Sequence, residues 1–440
     1  MGKGLTGNIK RIIMVAFPLM VQGIVFQLQS LTDKAFLGNL DTKYVAAIGS
    51  AQGPLISIAD SLIAISMGLT IIVSRLYGAK QFDELKKHVR SSLFYSSLFG
   101  ILVFLLWQFG AYPILAFFQV SSETIEYAAT YIQICSWFMI LIGVDSTLQS
   151  YLQGIGNTKP IMYAGVMKVV INIVLSWLLI FGKFGFPALY VSGAAIGTLV
   201  ANVLSTAYLS FYCMMFKRKE YALVELSREW LDAKSYQEIL RLGIPCGLEY
   251  FLWNFSNLIL IRFINGFSYQ SMAIYSITFG CQCMVYAIFA ATSRGTLVLI
   301  GHDIGAGKRA EANKKFYACV ALNIVIVSVA ATCFMLIPQS LLGLFSNDAA
   351  IIRQGVPYLI FLGIIMFPQS MNALCGNGIK AKGDSKWMLI SQIYGSIIVI
   401  SVSTILIKLF HMDMMAVYIT LFLDEGIRGF INYRHYRNLE

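Results

Sequence analysis

The chain carries the same apolar module twice, in a register of 227 positions without a gap. Pro18 aligns with Pro245, Gly53 with Gly280, Gly68 with Gly295, Gly78-Ala79 with Gly305-Ala306, and Lys87 with Lys314. The register continues through Phe118 and Phe345, Tyr131 and Tyr358, Gly156 and Gly383, and Lys159 and Lys386. Apolar segments match often by composition alone, so the weight rests on the prolines, glycines and lysines, which fall where helices kink or end. Tandem membrane repeats build many secondary transporters, whose two halves rock about a substrate path.

A bilayer span needs about 20 largely apolar residues. Twelve segments meet that length: about 12–37, 45–76, 91–112, 126–153, 160–182, 188–216, 239–264, 271–301, 316–337, 352–378, 387–410 and 414–431. With 58% hydrophobic and 12% charged residues, the chain lies outside the soluble range, where about a quarter of residues are charged. An all-α polytopic membrane protein follows, with six helices per repeat. An even number per repeat inserts both halves the same way up, so a pseudo-two-fold along the membrane normal is expected to relate them. The expected division is an N-terminal lobe over 1–215, a cytoplasmic, partly helical linker over 216–238 and a C-terminal lobe over 239–440.

The net charge of +11 could suggest a nucleic-acid partner, but its placement points elsewhere. With the N-terminus cytoplasmic, twenty-five Lys and Arg fall on that side, Lys380 and Arg428 counted among them, against six on the other. That is the positive-inside bias of a multi-pass plasma (inner) membrane protein with both termini cytoplasmic. No nucleic-acid partner is expected; membrane lipid is, and the chain is expected to act as a monomer. The first apolar segment is too long for a signal peptide and its repeat partner is internal, so it reads as a retained span. The eight cysteines all sit in apolar stretches without a C-x-x-C pair and read as packing residues.

Charged and strongly polar side chains inside spans are expensive and call for a partner or a function. The candidates are Asp33, Asp60, Asp145, Lys168, Glu249, Arg262 and Arg294. Gln22, Gln29 and Asp33 share one helical face of the first span, and Glu249, Trp253, Ser256 and Asn257 line the corresponding face of the seventh. Lys168, Asn172 and Ser176 recur every four residues in the fifth span; Asp145, Gln149 and Gln153 do so in the fourth. A carboxylate buried in such a cleft is suited to proton exchange, while a neighbouring cation would make it a structural ion pair. Gly193 and Gly197 form a G-x-x-x-G face for close helix contact. Pro18 and Pro245 interrupt backbone hydrogen bonding within their spans, and each is a candidate hinge.

Other chemistry is poorly supported. GAGK at Gly305–Lys308 lacks both the first glycine and the final Ser or Thr of a phosphate loop, and no H-E-x-x-H or G-x-S-x-G occurs. No enzyme, catalytic residue, metal or cofactor is expected.

The stretches FPLMVQGIVFQLQSLTDKAFLGNL, VAAIGSAQGPLISIADSLIAISMGLTIIVSRLYGAKQFDELKK, YLQGIGNTKP, NIVLSWLLIFGKFGFPALYVSGAAIGT and GIPCGLEYFLWNF together resemble multidrug and toxic compound extrusion (MATE) transporters. The resemblance covers essentially the whole chain. It implies two six-helix lobes in a V around a central cavity, and export of amphipathic, often cationic compounds in exchange for protons or sodium ions. It also implies that Asp33 is the ion-coupling acid of the first helix and that Asn172 and Thr198 are its polar partners. Ser176 departs from the pattern, standing where members with a full N-lobe site place an aspartate. Glu249 lies about one turn from the acid of another branch, and the helix-ten acid of that branch is replaced by Gln369, Ser370 and Asn372. These departures favour proton coupling through Asp33, with Glu249 attracting cationic substrate or acting as a second coupling group. The alternative within transport is a flippase of a lipid-linked precursor.

Overall fold

A computed structural model of the chain describes residues 2–38, 42–117, 120–215, 228–346 and 348–439. Its elements are α1 (Gly2–Gly38), α2 (Thr42–Gly78), α3 (Phe82–Phe117), α4 (Ile125–Ser136), α5 (Met139–Gly154), α6 (Lys159–Phe181), α7 (Tyr190–Met215), α8 (Ala233–Asn265), α9 (Tyr269–Gly305), α10 (Arg309–Leu336), α11 (Pro338–Gly343), α12 (Ala349–Ala381), α13 (Ser385–Thr404) and α14 (Met415–Asn438). A 3-10 turn (Arg228–Leu231) leads into α8, and a π-helical turn (Ile405–Leu409) ends α13. Helices dominate because a chain in lipid must satisfy every backbone donor and acceptor within itself.

Among the described residues, nine helices are long and apolar enough to cross a membrane, and α4 with α5, bent by 49° at their break, make a tenth. The remaining two long helices, α8 and α14, fall short on apolarity, since α8 carries Glu249 and α14 carries Asp424, Glu425 and Arg428. All twelve expected spans are therefore helical, and the two least apolar of them hold buried charge.

Repeat register reappears as backbone geometry. Gly156 and Gly383 both turn with positive φ, +80° and +84°, and so do Lys80 and Gly307, at +59° and +72°. Glycine enters that region without a Cβ clash, whereas Lys80 holds it with a side chain.

Packing divides the chain into two compact units, Ile24–Gly243 on one hand and Met1–Gly23 with Ile244–Glu440 on the other. Each unit takes in part of the first helix of either repeat. Close backbone contact is the reason. A Cβ on Gly243 would lie 2.1 Å from the Ile65 carbonyl oxygen, and one on Gly68 2.3 Å from that of Ile239, so the start of α8 lies directly on α2. The repeat-equivalent crossing joins Ala16 of α1 to Gly295 of α9, where a Cβ on Gly295 would meet Ala16 Cβ at 3.2 Å. Each repeat thus lends the beginning of its first helix to the other unit.

The entry to α8 is also fastened to α3. Ser91 donates to the Asp232 carbonyl at 2.7 Å, Tyr95 OH to that of Leu231 at 3.1 Å, and Lys87 pairs with the Asp232 carboxylate at 3.1 Å. The hydrogen bond from Ser235, aided by Lys87, holds the Asp232 carboxyl below the usual carboxylate range. The core of the Ile24–Gly243 unit gathers Ile48, Leu55, Trp107, Leu115, Tyr131 and Ile142. In the other unit, Leu260, Ile274, Ile365 and Tyr418 form one cluster and Phe289, Phe334 and Met366 a second.

Candidate functional site

In the Ile24–Gly243 unit the polar site is made by a close approach of α6 and α7. A Cβ on Gly197 would lie 2.6 Å from Ser176 Oγ, and one on Gly193 2.7 Å from the Leu179 carbonyl, so glycine alone admits this separation. The G-x-x-x-G face expected from sequence is this contact. It brings Asn172, which is fully buried, within reach of Thr198: Asn172 Nδ2 donates to Thr198 Oγ1 at 3.1 Å. From α1, Gln29 Nε2 donates to Asn172 Oδ1 at 2.9 Å. Gln29 is 7% exposed, and its own carbonyl oxygen, Oε1, is buried with no donor facing it among the described residues. A buried acceptor without a donor is unfavourable, and it favours occupation by something that brings a proton or a positive charge.

Beside these residues lies a cavity of about 20 Å³, room for about one water-sized species. Its polar lining is the Gln52 amide and the hydroxyls of Tyr131, Ser176 and Thr198; Phe36, Ile48, Ile180 and Ala194 complete it. Gln52 donates to Tyr131 OH at 3.4 Å. Asp33 follows Gln29 by four residues on α1, and its side chain lies outside the described residues.

The stripe Lys168, Asn172 and Ser176 does not act as one face. Ser176 lines the cavity and Asn172 bonds Thr198 beside it, whereas Lys168 interacts electrostatically with Asp145 and Asp60. Asp145 is fixed by Thr206, which donates to Oδ1 at 3.0 Å, and by Gln149, which donates to Oδ2 at 2.7 Å. Asp145 therefore sits in a hydrogen-bonded, cation-balanced position. The stripe Gln22, Gln29 and Asp33 is divided as well, because half-buried Gln22 belongs to the unit holding Ile244–Glu440.

In that second unit Glu249 is not alone. Lys380 of α12 lies 2.8 Å from one of its oxygens and donates to the other at 3.1 Å. Lys380, one of the cations assigned to the cytoplasmic side, is 9% exposed and pairs with Glu249. Trp253 and Asn257 are half-buried on the same helix, Trp253 with its ring 6.0 Å from that of Tyr250.

Arg428, counted on the same side, is buried and paired as well. It is 4% exposed and grips Asp424 through two parallel bonds, Nε to Oδ1 at 2.7 Å and Nη2 to Oδ2 at 2.8 Å, while Nη1 donates to Gln392 at 2.7 Å. Glu425, the next residue, accepts from Asn372 Nδ2 at 2.7 Å and from Gln369 Nε2 at 3.5 Å. Behind them, Asn432 donates to Asn372 at 2.8 Å, Trp387 to Asn432 at 2.9 Å, and Gln282 to Gln369 at 3.0 Å. Asp424 and Glu425 were not singled out by sequence, although two acids and an arginine within five residues of one span were the available signal.

Comparisons with known proteins bear on the family and the fold. A family model described as MatE matches residues 18–178 and 245–405, the two copies of the repeat in its own register. An uncharacterized transporter, YisQ, of Bacillus subtilis is 24% identical, covering 96% of this chain and 93% of that protein. A probable multidrug resistance protein, NorM, of Thermotoga maritima is 23% identical, covering 96% and 90%. Among solved structures, the outward-facing conformation of a multidrug resistance MATE family transporter superposes with a TM-score of 0.89 at 18% identity, covering 98% of this chain and 95% of that one. A MOP superfamily transporter from Pyrococcus furiosus, whose binding pocket is described as reversed in polarity, gives 0.88 at 19% identity, covering 98% and 95%.

Proposed function

The chain belongs to the MATE family of multi-pass membrane transporters, and from that premise we propose that it exports amphipathic, cationic organic compounds by alternating access in exchange for protons. Sodium is the alternative ion. The relatives named for multidrug resistance or export, including the MepA of Staphylococcus saprophyticus, support the cargo class. The positive-inside bias supports an inner-membrane location with both termini cytoplasmic.

The observation that carries proton over sodium is the ligand set around Asn172. Sodium must be given several oxygens in exchange for its hydration shell, and members of this family with a full site bring a second carboxylate. Ser176 stands at that position, and its hydroxyl lines a cavity with room for about one water. A proton needs one acceptor, the role that the family resemblance gives to Asp33, and the described groups at Asn172 are the neutral Gln29 and Thr198. Of the cations within spans that would hold a phosphate cargo, Lys168 is balanced by Asp145 and Asp60 and Arg262 and Arg294 are exposed, while the buried Lys380 and Arg428 are committed to Glu249 and Asp424. That weighs against the flippase of a lipid-linked precursor.

Variants reconstituted in proteoliposomes with a fluorescent organic cation test the assignment. Asp33→Asn and Asn172→Leu are each expected to lower proton-driven accumulation at least about tenfold, the effect of losing one charged or buried hydrogen-bonded contact. Wild-type accumulation in Asp33→Asn would overturn Asp33 as the carrier.

A further inference from the structure

We infer that Glu425 is a second exchangeable-proton site, located in the last helix of the Ile244–Glu440 unit and separate from the Gln29–Asn172–Thr198 site. The inference rests on the proton-antiport reading above for its physiological use, but its structural basis is a count of buried charge.

The titratable groups that meet in this part of the unit come from four helices. Glu425, Asp424 and Arg428 belong to α14 and Lys380 to α12, while Glu249 comes from α8 and the Tyr286 phenol from α9; α13 contributes only the neutral Gln392. Arg294 of α9 also acts on Tyr286, and it is exposed. Lys380 balances Glu249 at 2.8 Å, and Arg428 balances Asp424 through its two-point contact. Three carboxylates face two buried cations, so one negative charge is left over. Geometry assigns it to Glu425: the nearest Arg428 nitrogen is 3.7 Å from Oε1, beyond hydrogen-bond length, and both closer donors, Asn372 and Gln369, are neutral amides.

An unbalanced carboxylate that is 7% exposed inside a membrane span is strongly disfavoured unless it gains a proton or a cation. The surrounding amides admit the proton with little rearrangement. Asn372 is held by Asn432 and Asn432 by Trp387, so Oε2 keeps its short bond in either state. Protonation forms one O–H bond at Oε1, the oxygen whose contacts are the longer ones, Gln369 at 3.5 Å and Arg428 at 3.7 Å, and deprotonation breaks that bond alone. Glu249, neutralised by Lys380, is left as a structural pair and not the second coupling group.

The test is infrared difference spectroscopy on the full-length reconstituted protein during pH steps, reading the carbonyl stretch of a protonated buried carboxylic acid. Wild type is expected to show such a band that shifts when glutamate is 13C-labelled and does not shift when aspartate is. Glu425→Gln is expected to lose it, Glu425→Asp to keep it at an altered frequency, and Glu249→Gln to retain it. The labelling result on the unmutated protein stands even where Glu425→Gln fails to fold. A glutamate band that persists in Glu425→Gln, or the absence of any glutamate band in wild type, would overturn the proposal. The same vesicles, tested for proton-driven accumulation of a fluorescent organic cation, separate the two readings. No such transport with the Glu425 band present removes the antiport reading and leaves the site; proton-driven transport without the band removes the site and leaves the antiport reading.

Discussion

Gly243→Ala is expected to destabilise the Ile24–Gly243 unit by about 3 kcal/mol or more, at the upper end of what a single added methyl does in a packed interior. The new Cβ would lie 2.1 Å from the carbonyl oxygen of Ile65, a backbone atom that cannot rotate away. The repeat supplies the control. At the equivalent crossing, Ala16 already carries a methyl opposite Gly295, and a Cβ on Gly295 would meet it at 3.2 Å, so Gly295→Ala should cost clearly less. Thermal unfolding of the two variants in detergent ranks them, and equal melting temperatures would contradict the close crossing of α2 and α8. The order matters for transport, because these crossings fix which half of each first helix belongs to which unit.

Arg428→Met is expected to cost about 3–5 kcal/mol, the usual penalty for leaving a buried charge without its partner. Asp424 would lose both short bonds and Glu425 the guanidinium 3.7 Å away. Rescue distinguishes a charge effect from lost packing: adding Asp424→Asn should restore most of the stability, since removing both partners is much less costly than removing one. A double variant no more stable than Arg428→Met would show that the arginine acts by volume. Gly395 bears on the same pair. A Cβ there would sit 2.6 Å from both Arg428 Nε and Asp424 Oδ1, so the ion pair occupies space that a glycine leaves open.

The helices were legible because hydropathy and length report directly on the lipid environment, and the repeat fixed their number. Asn172 and Thr198 were legible through family resemblance, and the glycine spacing of Gly193 and Gly197 pointed to the contact that joins them. Three features were not. Asp424 and Arg428 compensate one another at i and i+4, so their helix reads as a span that is simply ending. Lys380 is 131 residues from Glu249, and nothing local to either announces the other. Gly243 looks like any glycine at the start of a span until its distance to Ile65 is measured. For Lys380 and Gly243 the information lies in contacts between distant helices, which periodicity along one helix does not contain.

Ion-driven transport by the unmodified protein identifies the coupling ion. Sealed proteoliposomes with a fluorescent organic cation would be given a proton gradient or a sodium gradient in separate experiments, with membrane potential held at zero. The account predicts accumulation under the proton gradient, abolished by a protonophore, and none under the sodium gradient. Accumulation driven by sodium alone would contradict it.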